Sequence, residues 1–362
     1  MKASTKERLA DVFLSHFSNA RAISAAKTTP LIFAILFFLI GNFLPIIPIM
    51  VRAGTAYGSS FLSGYTYGLE ISMSEQTHEI SEQYEFKVND ENKLLAYDKS
   101  GNLLNRTEAE EKQPIVPHYV NSNTNQIDLE IYYLDRPETS KDKTAKTIKT
   151  FVNELEEKTY KSGTTELYTK TDKNDETVVY RPSYIILYPE GILMAVYAEK
   201  SSSVTANSYG GPDWKRFDKN TDVIGSLSKV LDDSGKEIAY DLRNTNYTDG
   251  VLKNWKVVFD KTYENRKIMN FWATSGIYYG IYLALTIFMG LLIFLLTRGK
   301  KNPYNYLSIL TCEKIEAWVC FAPALLGMIV GFIFANFAVM AYIMLLGLRT
   351  MWLSMKQLRP QY

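Results

Sequence analysis

Cysteine is scarce in this sequence of 362 residues. Only Cys312 and Cys320 occur, and neither lies in the long middle stretch from Arg52 to Asn270. The middle stretch therefore cannot be held together by disulfide bonds. It must be stable through its own hydrophobic core, and it is long enough to have one.

Histidine is almost as scarce, with only His16, His78 and His118. No pair of histidines or cysteines has the close spacing of a zinc site, so isolated histidines are the simpler interpretation. A calcium-loop pattern that begins at Asp218 fails at its sixth position, where Val223 stands instead of glycine. A glycine-rich phosphate loop and a Gly-x-Ser-x-Gly elbow are also missing. We therefore expect no metal, no cofactor and no catalytic residue, and a protein that is not an enzyme.

The net charge of +1 hides an uneven distribution of charge along the chain. Acidic residues outnumber basic residues between Arg52 and Asn270, whereas basic residues dominate on both sides of that stretch. An acidic stretch attracts phosphate groups weakly, which argues against nucleic acid as a partner. Basic residues beside membrane spans mark the cytoplasmic face, so we expect both termini in the cytoplasm.

Three long apolar runs are present, at 31–51, 271–297 and 317–348. About 20 apolar residues cross the ~30 Å hydrocarbon core of a bilayer. The first run is longer than the core of a signal peptide, which favours an uncleaved anchor. The last run is too long for one straight span, so it forms either two spans turning near residues 334–336 or a re-entrant pair. The sequence predicts a multi-pass cell-membrane protein with about four transmembrane helices plus one large extracytoplasmic α+β domain.

The predicted organisation follows these runs. In chain order it comprises a cytoplasmic amphipathic segment (1–30), transmembrane helix 1 (31–51), the extracytoplasmic α+β domain (52–270), transmembrane helix 2 (271–297), a cytoplasmic connector (298–316) and a helical hairpin of transmembrane helices 3 and 4 (317–355). The apolar stripe of the first segment, which includes Phe13 and Phe17, lies either in the membrane interface or against other membrane helices. No charge inside the predicted spans lies clear of a helix end, which argues against a pump or ion-coupled transporter.

Local patterns predict the elements of the middle stretch. Residues 127–133 alternate as a strand with one buried face. Residues 177–187 and 192–198 should pair as a hairpin that turns at 188–191, where proline and glycine suit a tight turn. The remaining predictions are a flexible stalk at 53–68, a hairpin at 93–104, helices at 144–160 and 222–231, and a helix at 252–263 whose residues 255–259 could equally form a strand.

Small residues in the predicted spans are candidates for close helix packing. They are Gly276 and Gly280 in the second span, and Gly327 and Gly331 with Pro323 in the third. Small side chains let membrane helices approach closely. These residues either dock a partner protein or only pack the protein's own helices together.

Several segments resemble a known family. They are Tyr306-Leu307-Ser308-Ile309-Leu310-Thr311, Glu316-Ala317-Trp318, Phe321-Ala322-Pro323-Ala324-Leu325 and, in the middle stretch, Ser183-Tyr184-Ile185-Ile186-Leu187. With the order of spans and domain, they resemble the bacterial maltodextrin-utilisation accessory membrane proteins, whose genes lie beside sugar importers. The middle stretch is longer than this family leads us to expect. The resemblance implies a non-enzymatic accessory protein tied to sugar uptake, with the lipid bilayer and other membrane proteins, including a sugar importer, as partners.

The alternative function is a membrane-tethered extracytoplasmic ligand receptor or enzyme. The sequence has 25 tyrosines, and aromatic rings stack on sugars, although tyrosine also suits half-buried strands. A deep pocket that gathers acidic and tyrosine residues would favour this alternative. A shallow surface would favour the accessory role.

Overall fold

The computed structural model describes residues 13–64, 69–117, 120–121, 126–141, 145–161, 169–171, 177–179, 182–196, 207–211, 213–299, 302–334 and 337–358. The chain divides into two compact units. We call them the helical unit (Met1–Ala56 and Lys267–Tyr362) and the α+β unit (Tyr57–Arg266).

Helices supply most of the helical unit and part of the α+β unit. In chain order they are α1 (Asn19–Thr28), α2 (Leu31–Phe43), α3 (Ile47–Thr55), α4 (Leu69–Gln83), α5 (Glu108–Glu111), α6 (Ile148–Lys161), α7 (Thr245–Leu296), α8 (Ile309–Val319), α9 (Phe321–Ile333) and α10 (Ala338–Lys356). Short 3-10 helices lie at Leu44–Ile46, Gly58–Gly64 and Gly225–Ser228.

Three helical stretches of the described chain are long and apolar enough to cross a membrane: Leu31–Thr55, part of Thr245–Leu296, and Ile309–Ile333. This agrees with the predicted membrane protein. Helix α10 is not among the three, so the predicted number of spans and their orientation stay predictions. Pro45 and Pro48 lie where a 3-10 turn separates α2 from α3, because a proline has no backbone N–H to donate.

The helical hairpin predicted at the C-terminal end is present as α9 and α10. A Cβ atom added at Gly327 would lie 3.1 Å from the Cβ of Tyr342, so the two helices are in close contact. Residues 335 and 336 of the predicted turn lie outside the described residues. Helix α8 begins at Ile309, inside the predicted connector, and continues past the end of that connector. The Ser308 hydroxyl caps the helix by accepting the N–H of Thr311.

Strands form the sheets of the α+β unit. They are β1 (Tyr84–Val88), β2 (Leu94–Asp98), β3 (Val120–Asn121), β4 (Gln126–Ile127), β5 (Leu129–Tyr133), β6 (Thr169–Thr171), β7 (Thr177–Val179), β8 (Ser183–Tyr188), β9 (Gly191–Val196), β10 (Asn207–Gly211), β11 (Val230–Leu231) and β12 (Glu237–Ile238). The largest sheet has the order β10-β9-β8-β5, in which only β5 and β8 are parallel. The hairpin predicted to turn at 188–191 is confirmed as β8 and β9. Its first strand is shorter than predicted, since residues 177–179 belong to β7, which pairs with β6.

Strand β5 is buried on both faces, so the prediction of one buried face is wrong. Leu129, Ile131 and Tyr133 belong to the main core, which also holds Trp214 and Trp255. The opposite face carries Tyr132, which belongs to a second core cluster with Ile148 and Phe151 of α6. Helix α6 therefore buries the second face of β5, which the alternating pattern of the strand had predicted to be exposed.

Two other predictions in this unit are wrong. Residues 222–231 form a 3-10 turn and strand β11 rather than a helix, because the Asp222 carboxylate accepts the N–H groups of Phe86 and Gly225 and fixes a turn. The described part of the predicted stalk is ordered: Leu62 is fully buried in the main core. A Cβ at Gly58 would lie 2.2 Å from the Phe259 carbonyl oxygen, so only glycine fits there. Residues 255–259 are helical, as part of α7.

Candidate functional sites

The predicted packing glycines fall into two groups. Gly327 and Gly331 are buried, and Gly327 lies against the backbone of Tyr342, so it packs the protein's own bundle. Gly276 and Gly280 are exposed on α7, and a Cβ at either would meet no described atom within 4 Å. Only the second pair leaves space for another molecule.

An apolar groove of about 380 Å³ lies beside Gly276 in the helical unit. Its walls come from α2, α3 and α7 and the turn between α2 and α3. The lining residues include Ile40, Phe43, Met50, Trp272 and Tyr279. The Trp272 side chain is 67% exposed although it is large and apolar. The groove is continuous with the exposed face of α7 that carries Gly276 and Gly280, because Gly276 belongs to both.

Pro323, the remaining predicted packing residue, leaves a backbone carbonyl without its helical donor. An α-helical N–H donates to the carbonyl four residues earlier, and a proline at 323 cannot donate to Val319. The helical backbone hydrogen bonds on either side are present, since the N–H of Cys320 donates to the Glu316 carbonyl and the N–H of Ala324 donates to the Cys320 carbonyl. The guanidinium of Arg349 fills the gap: its Nη1 donates to the Val319 oxygen at 2.6 Å.

Arg349 also joins the N-terminal part of the chain to this position. Its Nε donates to the Asn19 Oδ1 atom at 3.1 Å, at the start of α1. His16 lies nearby, with its Nδ1 atom 3.4 Å from the Trp318 carbonyl oxygen and its ring stacked on the Trp318 ring. His16 and Asn19 thus contact the membrane-type helices, whereas Phe13 and Phe17 of the predicted apolar stripe are 63% and 49% exposed. The two predicted alternatives for that stripe therefore stay predictions.

Glu316 is a charged residue that the sequence analysis missed, because it was assigned to the connector. It is completely buried in α8, and its Oε1 atom accepts a hydrogen bond of 2.9 Å from the Thr350 hydroxyl. The second carboxyl oxygen and the Nη2 atom of Arg349 have no hydrogen-bond partner among the described residues. The sequence does carry a signal for this pair: acidic residues stand just before the uncharged run 317–348, and an arginine follows directly after it.

A second buried polar group joins three helices of the same unit. The Asn42 Oδ1 atom lies 2.7 Å from the Thr286 hydroxyl and accepts a hydrogen bond of 3.0 Å from the Tyr342 hydroxyl. The amide nitrogen of Asn42 donates to the Phe38 carbonyl. These bonds satisfy a polar side chain among apolar ones and fix α2, α7 and α10 together.

The α+β unit contains an open cleft of about 710 Å³, which is within the usual range for ligand sites. Acidic side chains and tyrosines line it together, which is the composition expected for the receptor alternative, although the cleft is open and not a deep pocket. They are Glu82, Glu85, Asp222, Glu237, Tyr240 and Tyr247.

The aromatic side chains that line this cleft contact one another, since the Tyr240 ring packs against both His78 and Tyr247. The ring of Tyr240 stacks on His78 with centroids 3.8 Å apart, and the Tyr240 hydroxyl donates to Glu75. Burial first, and then this bond and the charge of Glu75, raise the pKa of Tyr240 above its ordinary value. Tyr247 is 1% exposed, and its hydroxyl has no hydrogen-bond partner among the described residues.

Neither unit offers a preassembled metal centre in its described residues, where no group of three or more histidine, cysteine, aspartate or glutamate side chains could hold an ion. Comparison with protein-family models, curated proteins and solved structures finds no match for this chain. Its function must therefore be argued from the groove, the buried polar groups and the cleft.

Proposed function

We propose that this protein is a non-enzymatic, multi-pass accessory protein of a membrane complex, which docks a transmembrane helix of a partner against α7. The proposal includes both termini in the cytoplasm and the α+β unit outside. The resemblance noted in the sequence favours a sugar importer as the partner.

The exposed small-residue face of α7 supports docking. Gly276, Gly280 and Ala284 follow one another at four-residue spacing, and all three are exposed. Membrane helices associate through such faces, because small side chains let two backbones come close enough for van der Waals contact. A transmembrane helix fits better than a soluble segment, because Ile277 and Ile281 beside the glycines are also exposed and apolar.

The test replaces both glycines by leucine in the full-length protein. We expect Gly276→Leu with Gly280→Leu to insert normally, since a Cβ added at either position meets no described atom within 4 Å. The double variant should lose the co-purified partner in mild detergent. The matched control, Ile277→Leu with Ile281→Leu, changes neighbouring exposed residues without adding bulk and should keep the partner.

Equal recovery of the partner with both variants would contradict docking at the glycine face. Two differently tagged copies of the chain should also be expressed together. If the glycine variant separates only the two copies, the face joins identical chains and the accessory proposal fails.

A second candidate function, a membrane-tethered ligand receptor, is supported by the cleft of the α+β unit. The cleft combines acidic residues, tyrosines and ligand-sized space. Small polar molecules, including maltotriose, should then raise the thermal unfolding temperature of the purified full-length protein. If none of a broad panel raises this temperature, the receptor function is wrong.

A further inference from the structure

We propose that the cleft of the α+β unit binds a small organic ligand that carries a protonated amine, with the amine bound by the lining residues Tyr240, Tyr247, Glu82 and Glu237. This inference rests on the second candidate function, the receptor, and is independent of helix docking by the glycine face.

The hydroxyl of Tyr247 is a buried polar group that a ligand could satisfy. The side chain is 1% exposed and lines the cleft, and its ring belongs to the main core. Its oxygen has no hydrogen-bond partner among the described residues. A buried hydroxyl without a partner destabilises a fold, and phenylalanine would fill the same space without that cost. A ligand group that bonds the oxygen explains why a tyrosine stands there.

Helix α4, which forms one wall of the cleft, carries negative charge. Its sequence contains Glu70, Glu75, Glu79 and Glu82 and no lysine or arginine. Glu75, His78 and Glu82 are three and four residues apart, so they lie on one face of the helix. His78 and Glu82 line the cleft, and Glu75 accepts the hydrogen bond from Tyr240. This wall therefore presents negative charge and hydrogen-bond acceptors.

Negative charge exceeds positive charge over the whole cleft. Four carboxylates line it against two lysines, Lys99 and Lys229. The Lys87 ammonium, 2.5 Å away, together with Lys99, lowers the pKa of Glu85, so these cations compensate that carboxylate. Glu82 and Glu237 have no ion pair within the described part of the chain. A positively charged ligand group would complement them.

The aromatic residues favour an organic cation over a metal ion. Tyr240 is 39% exposed, and an organic ammonium gains electrostatic energy over the face of a tyrosine ring and a hydrogen bond at its hydroxyl oxygen. The described carboxylates do not cluster in the way that metal coordination requires. The volume of about 710 Å³ is also that of a small molecule rather than a single ion.

The experiment compares 1,5-diaminopentane with 1,5-pentanediol, its uncharged analogue, by titration calorimetry on the full-length protein in mild detergent. We expect the diamine to bind and the diol to bind at least tenfold more weakly. Calcium chloride is titrated as a third probe and should give no saturable binding at this site. If the diol binds as well as the diamine, the proposed selectivity for an amine is wrong, but the receptor function stands. If the protein binds none of the probes and none of the wider ligand panel, the receptor function is wrong as well.

Variants locate the site. Tyr247→Phe removes only the unpartnered hydroxyl, so the melting temperature without ligand should not fall, while the affinity for the diamine should fall about tenfold, as for a lost hydrogen bond to a charged group. Glu82→Gln and Glu237→Gln should also weaken binding. Glu154→Gln on α6, an exposed carboxylate outside the cleft, is the control and should change nothing. Unchanged affinity in Tyr247→Phe, or a lowered melting temperature without ligand, would overturn the proposed role of that hydroxyl.

Discussion

At the scale of single residues, Arg349 has the clearest physical role in the helical unit. Its side chain replaces the hydrogen bond that Pro323 cannot make to Val319 and holds Asn19 of α1. The same helix also places Thr350 against the buried Glu316. Removing the arginine would leave buried acceptors without donors, which is far costlier than never burying them.

We therefore predict that Arg349→Met lowers the free energy of unfolding of the helical unit by about 3 kcal/mol, as for other buried charged groups that lose a partner. Pro323→Ala restores a backbone N–H that can donate to Val319, so it should recover about 1 kcal/mol in the Arg349→Met background. Thermal unfolding in one detergent measures all four proteins of the cycle. If Pro323→Ala does not raise the free energy of unfolding of Arg349→Met, then Arg349 does not stabilise the protein through its hydrogen bond to the Val319 carbonyl.

Gly327 and Gly276 provide a matched pair of positions. Leucine at Gly327 would collide with the backbone of Tyr342, and forced overpacking costs about 1–3 kcal/mol. A Cβ added at Gly276 meets no described atom within 4 Å, so leucine there should leave the stability of the isolated protein unchanged. Thermal unfolding of the two single variants checks this contrast. Equal destabilisation would show that both glycines pack inside the bundle.

At the scale of elements, the turns of the α+β unit depend on aspartate side chains. Asp98 accepts the N–H groups of Ser100 and Asn102 in the turn after β2, where Gly101 has a φ of 83°. Asp232 does the same between β11 and β12, with Ser234 and Lys236 as donors. The bonds of Asp98 explain the turn inside the predicted hairpin at 93–104, although β2 takes β1 as its main partner.

These turns should make the α+β unit less stable in acid. Hydrogen bonds, first from the side chains of Asn102 and Ser234, lower the pKa of Asp98 and of Asp232 below the ordinary 3.8. The ionised carboxylates therefore stabilise the fold above pH 3.8, and this contribution is lost as the pH falls through the lowered values. Melting curves from pH 6 to pH 2.5 should show a smaller acid loss in Asp98→Asn with Asp232→Asn than in the unchanged protein. If the double variant and the unchanged protein lose stability equally in acid, these two carboxylates are not the cause of the loss.

At the scale of the whole molecule, the division into two units sets where the chain can be cut. The ordered 3-10 helix at Gly58–Gly64 and the first part of α7 both contribute to the main core of the α+β unit, through Leu62 and Phe259. We predict that a fragment of residues 57–266 melts cooperatively. A fragment of residues 70–262 should melt at a lower temperature, because it lacks Leu62 and the Gly58 contact. Equal melting temperatures would show that the 3-10 helix adds nothing.

The orientation of the chain is a prediction that labelling can check. Cys312 and Cys320 are both buried, so the unchanged protein should react little with an impermeant thiol reagent. A cysteine at Ser202 should be modified on intact cells, whereas one at Ser4 should react only after the membrane is opened, as the charge distribution implies. The reverse pattern would overturn the proposed topology.

The sequence alone determined the features that depend on neighbouring residues. Apolar runs locate the membrane-type helices, and the proline and glycine at 189 and 191 locate the β8–β9 hairpin, since hydrophobicity and turn geometry are set within a few residues. The helix at 144–160 is likewise a local periodicity, confirmed as α6.

Only the tertiary structure decided the features that depend on which distant element packs where. In the folded chain, α6 packs on the second face of β5 and Glu316 is buried beside Thr350. Gly327 packs against Tyr342, whereas a Cβ at Gly276 would meet no described atom within 4 Å. The bond between Asn42 and Tyr342 joins residues 300 positions apart. A pattern along the chain states which side chains can be buried, but the partner that buries them is fixed by the packing of the whole chain, because each burial must fill space and satisfy polar atoms at the same time.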